Sequence, residues 1–144
     1  GGNLCAVVSP GRALRMQLLY YPVTDGASRS ESRALYAAGY GLEGADVDFF
    51  STHYAPGIPE DDPQLSPFYG KSLAESPPTR LVVAGFDLLR DEGIEFANRL
   101  QERGVDTTLI ERPQWTHGFV HMGALPGVAA SIDEDGMALA AALR

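Results

Sequence analysis

The sequence is poor in cysteine and in positive charge, and it has no long apolar run. A single cysteine, Cys5, can form neither an internal disulfide nor a cysteine-based metal site, so we expect a reducing, cytoplasmic environment and a small buried role for Cys5. Eleven Lys and Arg against 19 Asp and Glu give a net charge of -8, the wrong sign for attraction to nucleic-acid phosphates or anionic lipids. Every apolar run is shorter than the ~20 residues of a membrane-spanning helix. These absences exclude nucleic acid and membrane as expected partners.

What the sequence does contain is the pattern of an α/β fold. Residues 14–22, LRMQLLYYP, and 80–86, RLVVAGF, are short apolar runs bounded by Pro or Gly, typical of strands buried on both faces. Residues 105–111, VDTTLIE, form a third candidate strand. The segment between the last two has helical spacing, acidic residues in its first turn and Gly104 at its end. This strand-helix-strand order predicts a parallel sheet flanked by helices, with ligands beyond the carboxyl ends of its strands.

The long segment between the first two strands, residues 23–78, predicts a helical excursion, because bare loops of this length are uncommon in compact domains. Its clearest helix covers roughly 45–55, where Phe49, Phe50 and Tyr54 form an apolar stripe that either packs against the sheet or faces a substrate channel. At the end of the chain, Ser131 and Glu134 have capping-box spacing ahead of an alanine-rich helix.

Two polar residues follow two neighbouring candidate strands. Asp87 stands just past one strand and His117 just past the next, so adjacent parallel strands would bring both to one sheet edge. A carboxylate there can hold an imidazole tautomer and stabilise the imidazolium, the acid-base half of a Ser, Asp, His triad. The alternative for Asp87 is a helix cap. His53 and His121 have no such partner and read as surface or packing residues, and Asp91 reads as a first-turn helix charge.

Five ordered blocks resemble one family, the hormone-sensitive-lipase-like carboxylesterases and acetyl-hydrolases of the α/β-hydrolase fold. The blocks are LLYYPVTD at 18–25, LSPFYG at 65–70, PPTRLVVAGFDLLRDEG at 77–93, the helix end RLQERGV, and THGFVHM at 116–122. The resemblance implies that Asp87 is the catalytic acid and His117 the catalytic base of a serine hydrolase that acts on small-molecule esters of short to medium acyl length. It implies no cofactor and no metal.

The same resemblance bears on the first residues, GGNL. The family's nucleophile motif reads Gly-Asp-Ser-Ala-Gly-Gly, so Gly1 and Gly2 match its last two glycines and the serine would precede Gly1 by two positions. The expectation is then a C-terminal half of an α/β-hydrolase. Residues 1–22 would hold the motif's end, a helix cut short by Pro10 and Gly11, and a strand; 23–78 the helical excursion; and 79–144 the Asp and His.

The sequence alone leaves several interpretations open. Trp115 and Phe119 flank the histidine and either bind substrate or belong to the core. Residues 1–144 by themselves are expected to lack esterase activity, and the missing N-terminal half is the expected partner, because the strand at 14–22 would otherwise be left with an open apolar edge. A homodimer is a further expectation that the resemblance leaves open. The alternative function is that of a non-catalytic interaction domain or remnant.

Overall fold

Three parallel strands form the frame of the structure, a computed structural model that describes residues 1–144. The elements, in chain order, are α1 (Gly2–Val8), β1 (Gln17–Tyr20), α2 (Glu31–Leu35), α3 (Gly44–Tyr54), β2 (Thr79–Phe86), α4 (Arg90–Glu102), β3 (Thr107–Thr116) and α5 (Val128–Ala142), with 3₁₀ turns at Pro67–Tyr69, Leu73–Glu75 and Phe119–His121. The strand order is β1-β2-β3, and both pairings are parallel. The predicted α/β class with a parallel sheet is confirmed.

The core lies on both faces of β2, which is the central strand. Leu81 and Val83 point to one face and pack in a cluster with α1 and α4, where Phe96 is the largest member. Val82 and Ala84 point to the other face, where the second cluster includes residues of β3 and α5. Each fully buried Val, Leu or Phe side chain stabilises the fold by about 1.5–3 kcal/mol. Burial on both faces explains the continuous apolar run in the sequence of this strand.

The structure excludes one of the two alternatives for α3 and contradicts two further local expectations. Helix α3 has no buried residue, and Phe49, Phe50 and Tyr54 are each more than half exposed, so this stripe does not pack on the sheet. Cys5 is exposed, because the face of α1 that meets β1 is that of Ala6. Helix α5 begins at Val128 after Gly127, whose φ of 83° ends the preceding turn, so Ser131 is inside the helix and does not cap it. None of the helices is both long enough and apolar enough to cross a membrane.

A bulge between β2 and β3 sets where the two strands end. Val83 pairs with Glu111 and Phe86 pairs with Thr116, so three steps along β2 match five along β3. The two backbones approach each other closely at Gly85, where a Cβ atom would overlap the backbone of Pro113. The next residue on each strand is Asp87 and His117, and the bulge therefore brings these two residues level with each other.

A buried carboxylate ties α5 to the sheet. Asp135 is fully buried; one oxygen accepts a hydrogen bond from the Tyr20 hydroxyl at 2.8 Å, and the other accepts one from Nε of Arg80, also at 2.8 Å. Burial and the bond to Asp135 both raise the pKa of the Tyr20 hydroxyl, which therefore remains a donor at neutral pH. The neighbouring Glu134 bonds to Arg80 and Arg112 at the surface, which is why it forms no cap.

Replacing Asp135 by alanine should lower the free energy of unfolding by about 3–5 kcal/mol, because it leaves the Arg80 guanidinium buried without its main partner. Urea unfolding measures this change. The matched control is Asp133→Ala, two residues earlier on the exposed side of the same helix, which should change the stability by less than about 0.5 kcal/mol. Equal effects of the two substitutions would contradict the role given to Asp135.

Replacing Gly85 by alanine should destabilise the fold by at least about 1–3 kcal/mol, because the added methyl group meets backbone that cannot move without breaking the bulge. The control is Gly136→Ala in α5, where a Cβ has open space around it. That substitution should stabilise the protein by up to about 1 kcal/mol, since alanine is the better helix former. An equally benign result at Gly85 would show that the bulge does not require glycine.

Candidate active site

Asp87 lies in the turn that leads from β2 into α4, and it is buried to 1% exposure. Its Oδ1 accepts a hydrogen bond from the backbone N–H of Leu89 at 2.9 Å, which fixes the turn. Its Oδ2 lies 2.8 Å from Nδ1 of His117. The N-cap of α4 is Leu89 and has no side-chain cap bond, so the helix-cap alternative for Asp87 does not hold: one Asp87 oxygen bonds to the backbone of its own turn and the other to the histidine.

His117 directly follows β3, and a quarter of its side chain is exposed. Gly118 next to it has a φ of 79°, a left-handed conformation that turns the chain sharply and leaves the ring at the surface of the sheet edge. An ionised carboxylate only accepts hydrogen bonds, so the proton of the pair lies on Nδ1 of the imidazole. The other nitrogen, Nε2, makes no hydrogen bond within the chain and is the one available as a base.

The loop that carries Asp87 is held by α2. The Ser32 hydroxyl is buried, donates to the carbonyl of Leu88 at 3.0 Å and accepts from the backbone N–H of Asp91 at 3.1 Å. The Asp91 carboxylate in turn accepts from the Ser32 backbone N–H at 2.8 Å and from Nε of Arg90. Burial alone would raise the pKa of Asp91, but the bonds from Arg90 and Ser32 outweigh it and hold that pKa below its ordinary value. Asp91 lies in the first turn of α4, as expected.

A second tie joins α4 to the segment after β1. The Glu92 side chain is fully buried and accepts from the backbone N–H of Thr24 at 2.9 Å. Its other oxygen accepts from two nitrogens of Arg33, at 2.9 and 2.7 Å. Burial raises the pKa of Glu92, while Arg33 and the backbone donors oppose that shift. Arg33 is thereby placed at the edge of the cavity that His117 lines.

Two adjoining cavities lie beside the histidine. The first, called here the His117 cavity, has a volume of about 350 Å³ and is lined by His117, Tyr21, Arg33, Leu89, Gly1 and Gly2 among others. The second, called here the outer cavity, has a volume of about 500 Å³, and its apolar lining includes Tyr54, Ile58 and Leu65. Phe50 and Ser51 of α3 line both cavities. Phe50 and Tyr54 of α3 thus face this space and not the core.

Gly1 and Gly2 stand at the wall of the His117 cavity. Gly1 is the N-cap of α1, and a Cβ on Gly2 would lie only 3.0 Å from Cβ of Pro22. The lack of a side chain at Gly2 therefore lets the start of α1 approach the end of β1 closely. The first residues of the chain and His117 consequently meet in one cavity, although they are far apart in sequence.

The other residues singled out from the sequence lie elsewhere. Trp115 and Phe119 are buried in the core cluster of the second face and line neither cavity, so the substrate-binding interpretation gives way to the core one: both side chains point inward against β2 and α5. His53 and His121 are exposed, as expected. No three histidine, cysteine, aspartate or glutamate side chains come together in an arrangement that could hold a metal ion.

Three residues of the site have no signal in the sequence. Ser32 bonds to Leu88 and Asp91, which lie 56 and 59 positions later in the chain, and Arg33 bonds to Glu92, 59 positions later. A pattern of local spacing does not reveal such contacts. Tyr21 belongs to the apolar sequence YYP at the end of a strand, which gives no sign of a role at the site. The centroid of its ring nevertheless lies 4.4 Å from the centroid of the His117 ring. Its φ of 34° is the one positive value among non-glycine residues, a conformation that costs on the order of 1–3 kcal/mol.

Comparison with known proteins places this chain in a family. A family model described as the alpha/beta hydrolase fold matches residues 1–121. The ethyl acetate hydrolase of Pseudomonas putida is 34% identical over 134 residues, which cover 87% of this chain and 42% of that protein. A carboxylic ester hydrolase of Mycobacterium tuberculosis is 37% identical over 143 residues, which cover 91% of this chain and 38% of that protein.

A solved structure agrees with these relatives. The Ser161Ala mutant of an alpha/beta hydrolase enzyme from the metagenome of Lake Arreo, Spain, superimposes with a TM-score of 0.87 at 36% identity, over 93% of this chain and 45% of that one. The chain therefore spans less than half the length of each of these relatives. On the sequence match, the parallel sheet and the structural likeness together, the chain belongs to the alpha/beta hydrolase family, and these relatives include enzymes named as ester hydrolases.

Proposed function

We propose that residues 1–144 supply the acid and the base of a serine carboxylester hydrolase, with Asp87 as the acid and His117 as the base. The observation that carries the proposal is the 2.8 Å bond between Asp87 and Nδ1 of His117, which leaves Nε2 unbonded beside a cavity. A buried carboxylate in this position orients the ring and stabilises the positive charge that the ring acquires when it takes a proton.

The nucleophile is assigned from the family resemblance. Gly1 and Gly2 match the end of the Gly-Asp-Ser-Ala-Gly-Gly motif, and the relatives are more than twice as long as this chain, which leaves room for a preceding segment of the same protein as the partner. Because Gly1 and His117 line the same cavity, a serine two positions before Gly1 would stand within reach of Nε2. The donors that stabilise the oxyanion would come from the same preceding segment.

The reaction follows from these roles. Nε2 of His117 takes the proton of the serine hydroxyl while the serine oxygen bonds to the ester carbonyl carbon. The same proton then passes from Nε2 to the departing alcohol oxygen as the ester C–O bond breaks, which leaves an acyl-enzyme. Water attacks the acyl carbon and gives a proton to Nε2, and that proton returns to the serine oxygen as the carboxylic acid leaves. No step needs a metal or an organic cofactor.

The proposed substrates are esters with short to medium acyl chains. The His117 cavity and the outer cavity share a wall formed by Phe50 of α3, and the outer one continues past Tyr54 and Ile58, which offer an apolar surface. The short to medium acyl length itself is assigned from the family resemblance, and the apolar lining provides a surface that an acyl chain can contact. A cytoplasmic location rests on Cys5, which has no disulfide partner within the chain, and a homodimer rests on the resemblance alone.

Replacing His117 by alanine in the full-length gene product should lower kcat for p-nitrophenyl butyrate by about 10⁶-fold, because the serine loses its base. Replacing Asp87 by asparagine should lower it by about 10⁴-fold, because an amide no longer enforces the tautomer that leaves Nε2 free. Steady-state hydrolysis, followed by release of p-nitrophenol, measures both effects.

The matched controls are His53→Ala and His121→Ala, which remove exposed histidines and should leave kcat unchanged. Full activity of His117→Ala would exclude this histidine as the base. If the unsubstituted protein hydrolyses no ester although it is folded, the alternative of a non-catalytic interaction domain replaces the proposed function.

A further inference from the structure

Tyr21 has a backbone conformation that tyrosine rarely adopts. Its φ of 34° lies in the left-handed region, where the Cβ atom of a bulky residue crowds the backbone. The residue that follows is Pro22, and residues before proline favour extended conformations, which makes the observed value less favourable still. A conformation of this kind persists only where the surrounding structure holds it in place.

Hydrogen bonding and packing hold Tyr21 from two sides. Its backbone N–H donates to the carbonyl of Val82 at 2.7 Å, one residue past the end of β1. Its ring packs against the fully buried Phe119 at 5.6 Å between centroids in an edge-to-face arrangement, and Phe119 stacks on Trp115 at 4.8 Å. The turned backbone thus aims the ring away from the solvent and onto the core.

The outer face of the same ring meets the imidazole. The centroids of the Tyr21 and His117 rings lie 4.4 Å apart, with an angle of 52° between their planes. Trp115, Phe119, Tyr21 and His117 therefore form a continuous column of rings from the core to the sheet edge. Asp87 holds only one atom of the imidazole, Nδ1, and a single hydrogen bond leaves the ring free to rotate about that contact. The Tyr21 ring blocks that rotation.

We propose that Tyr21 is a positioning residue: its strained backbone places an aromatic ring against the flat side of His117, so that Nδ1 stays on Asp87 and Nε2 stays directed at the His117 cavity. The inference rests on the proposed function for its effect on catalysis, but the geometry it describes is independent of activity. The ring is the acting part. Burial raises the pKa of the Tyr21 hydroxyl, a hydrogen bond with the Val120 backbone opposes that shift and the nearby Asp87 charge adds to it, and because the net direction is upward the hydroxyl stays neutral.

The test compares Tyr21→Phe with Tyr21→Leu in the full-length gene product. Phenylalanine keeps the ring and should retain kcat for p-nitrophenyl butyrate. Leucine keeps apolar bulk but no flat face, and it should lower kcat by about 10- to 100-fold, as expected when a catalytic group is misplaced by a fraction of an ångström to an ångström. The matched control is Tyr40→Leu, which removes a ring that stacks on Phe86 and not on the histidine, and which should leave kcat unchanged.

A second readout does not depend on hydrolysis. The proton shared between Nδ1 of His117 and Asp87 should give a far-downfield proton NMR resonance, which should persist in Tyr21→Phe and be broadened or lost in Tyr21→Leu. Should the leucine variant fail to fold, Tyr21→Gly serves the same comparison, because glycine adopts a positive φ without strain and carries no ring.

Each outcome decides between the possibilities. Loss of the resonance and of kcat in the ringless variants, with rescue by phenylalanine, supports the positioning role. An unchanged resonance and unchanged kcat in a folded Tyr21→Leu or Tyr21→Gly protein overturns it, and so does equal damage in Tyr21→Phe, which would assign the effect to the hydroxyl. If the unsubstituted protein hydrolyses no ester but shows the resonance, the proposed function fails while the resonance still tests the role of Tyr21.

Discussion

A carboxylate with no exposed surface must have a permanent partner, and in this protein that partner is an imidazole on the neighbouring strand. Burying the Asp87 charge is unfavourable by itself, and two hydrogen bonds offset the cost: one from the backbone of its own turn and one from Nδ1 of His117. Both partners are fixed by elements on either side of β2. The rest of the structure can be understood as the frame that keeps this pair aligned.

The frame acts at three points around the pair. The bulge at Gly85 sets the two strand ends level, so that parallel pairing delivers both residues to one edge. Ser32 of α2 holds the Asp87 loop in place through two hydrogen bonds with Asp91, one in each direction. The column of rings that begins at Trp115 supports the imidazole from the core side. Each contact joins segments that are far apart in the chain, so the site forms only when the sheet and its covering helices have come together.

Local patterns predicted the sheet and the pair well, because they depend on rules that act within a strand or at its end. An apolar run with Asp87 or His117 directly behind it is visible in the sequence, and parallel topology then fixes their common edge. The supporting contacts could not be predicted in this way. Nothing in the spacing of Ser32 or Tyr21 reveals a partner many residues away, and a capping motif such as Ser131 and Glu134 is overridden when both side chains are drawn into packing and ion pairs.

The apolar character of a side chain is a weaker guide to its burial than the strand pattern is to the topology of the sheet. The three aromatic residues of α3 have the spacing of a packing stripe, yet all of them stay largely exposed, and Phe50 and Tyr54 line the outer cavity. Trp115 and Phe119 lie two positions before and after the histidine in sequence, yet they belong to the core. An apolar side chain is more stable away from water. Only the tertiary arrangement determines whether its apolar surroundings come from the protein core or from a bound ligand.

The bulge has a consequence for how this chain can change over evolutionary time. The two surplus residues of β3 interrupt the alternation of side chains above and below the sheet, because Ile110 and Trp115, an odd number of positions apart, both pack in the cluster on the second face. A single insertion or deletion between Arg112 and Thr116 would change this offset, so that His117 would no longer stand level with Asp87. The length of this short stretch is therefore as constrained as the identity of the two residues that it aligns.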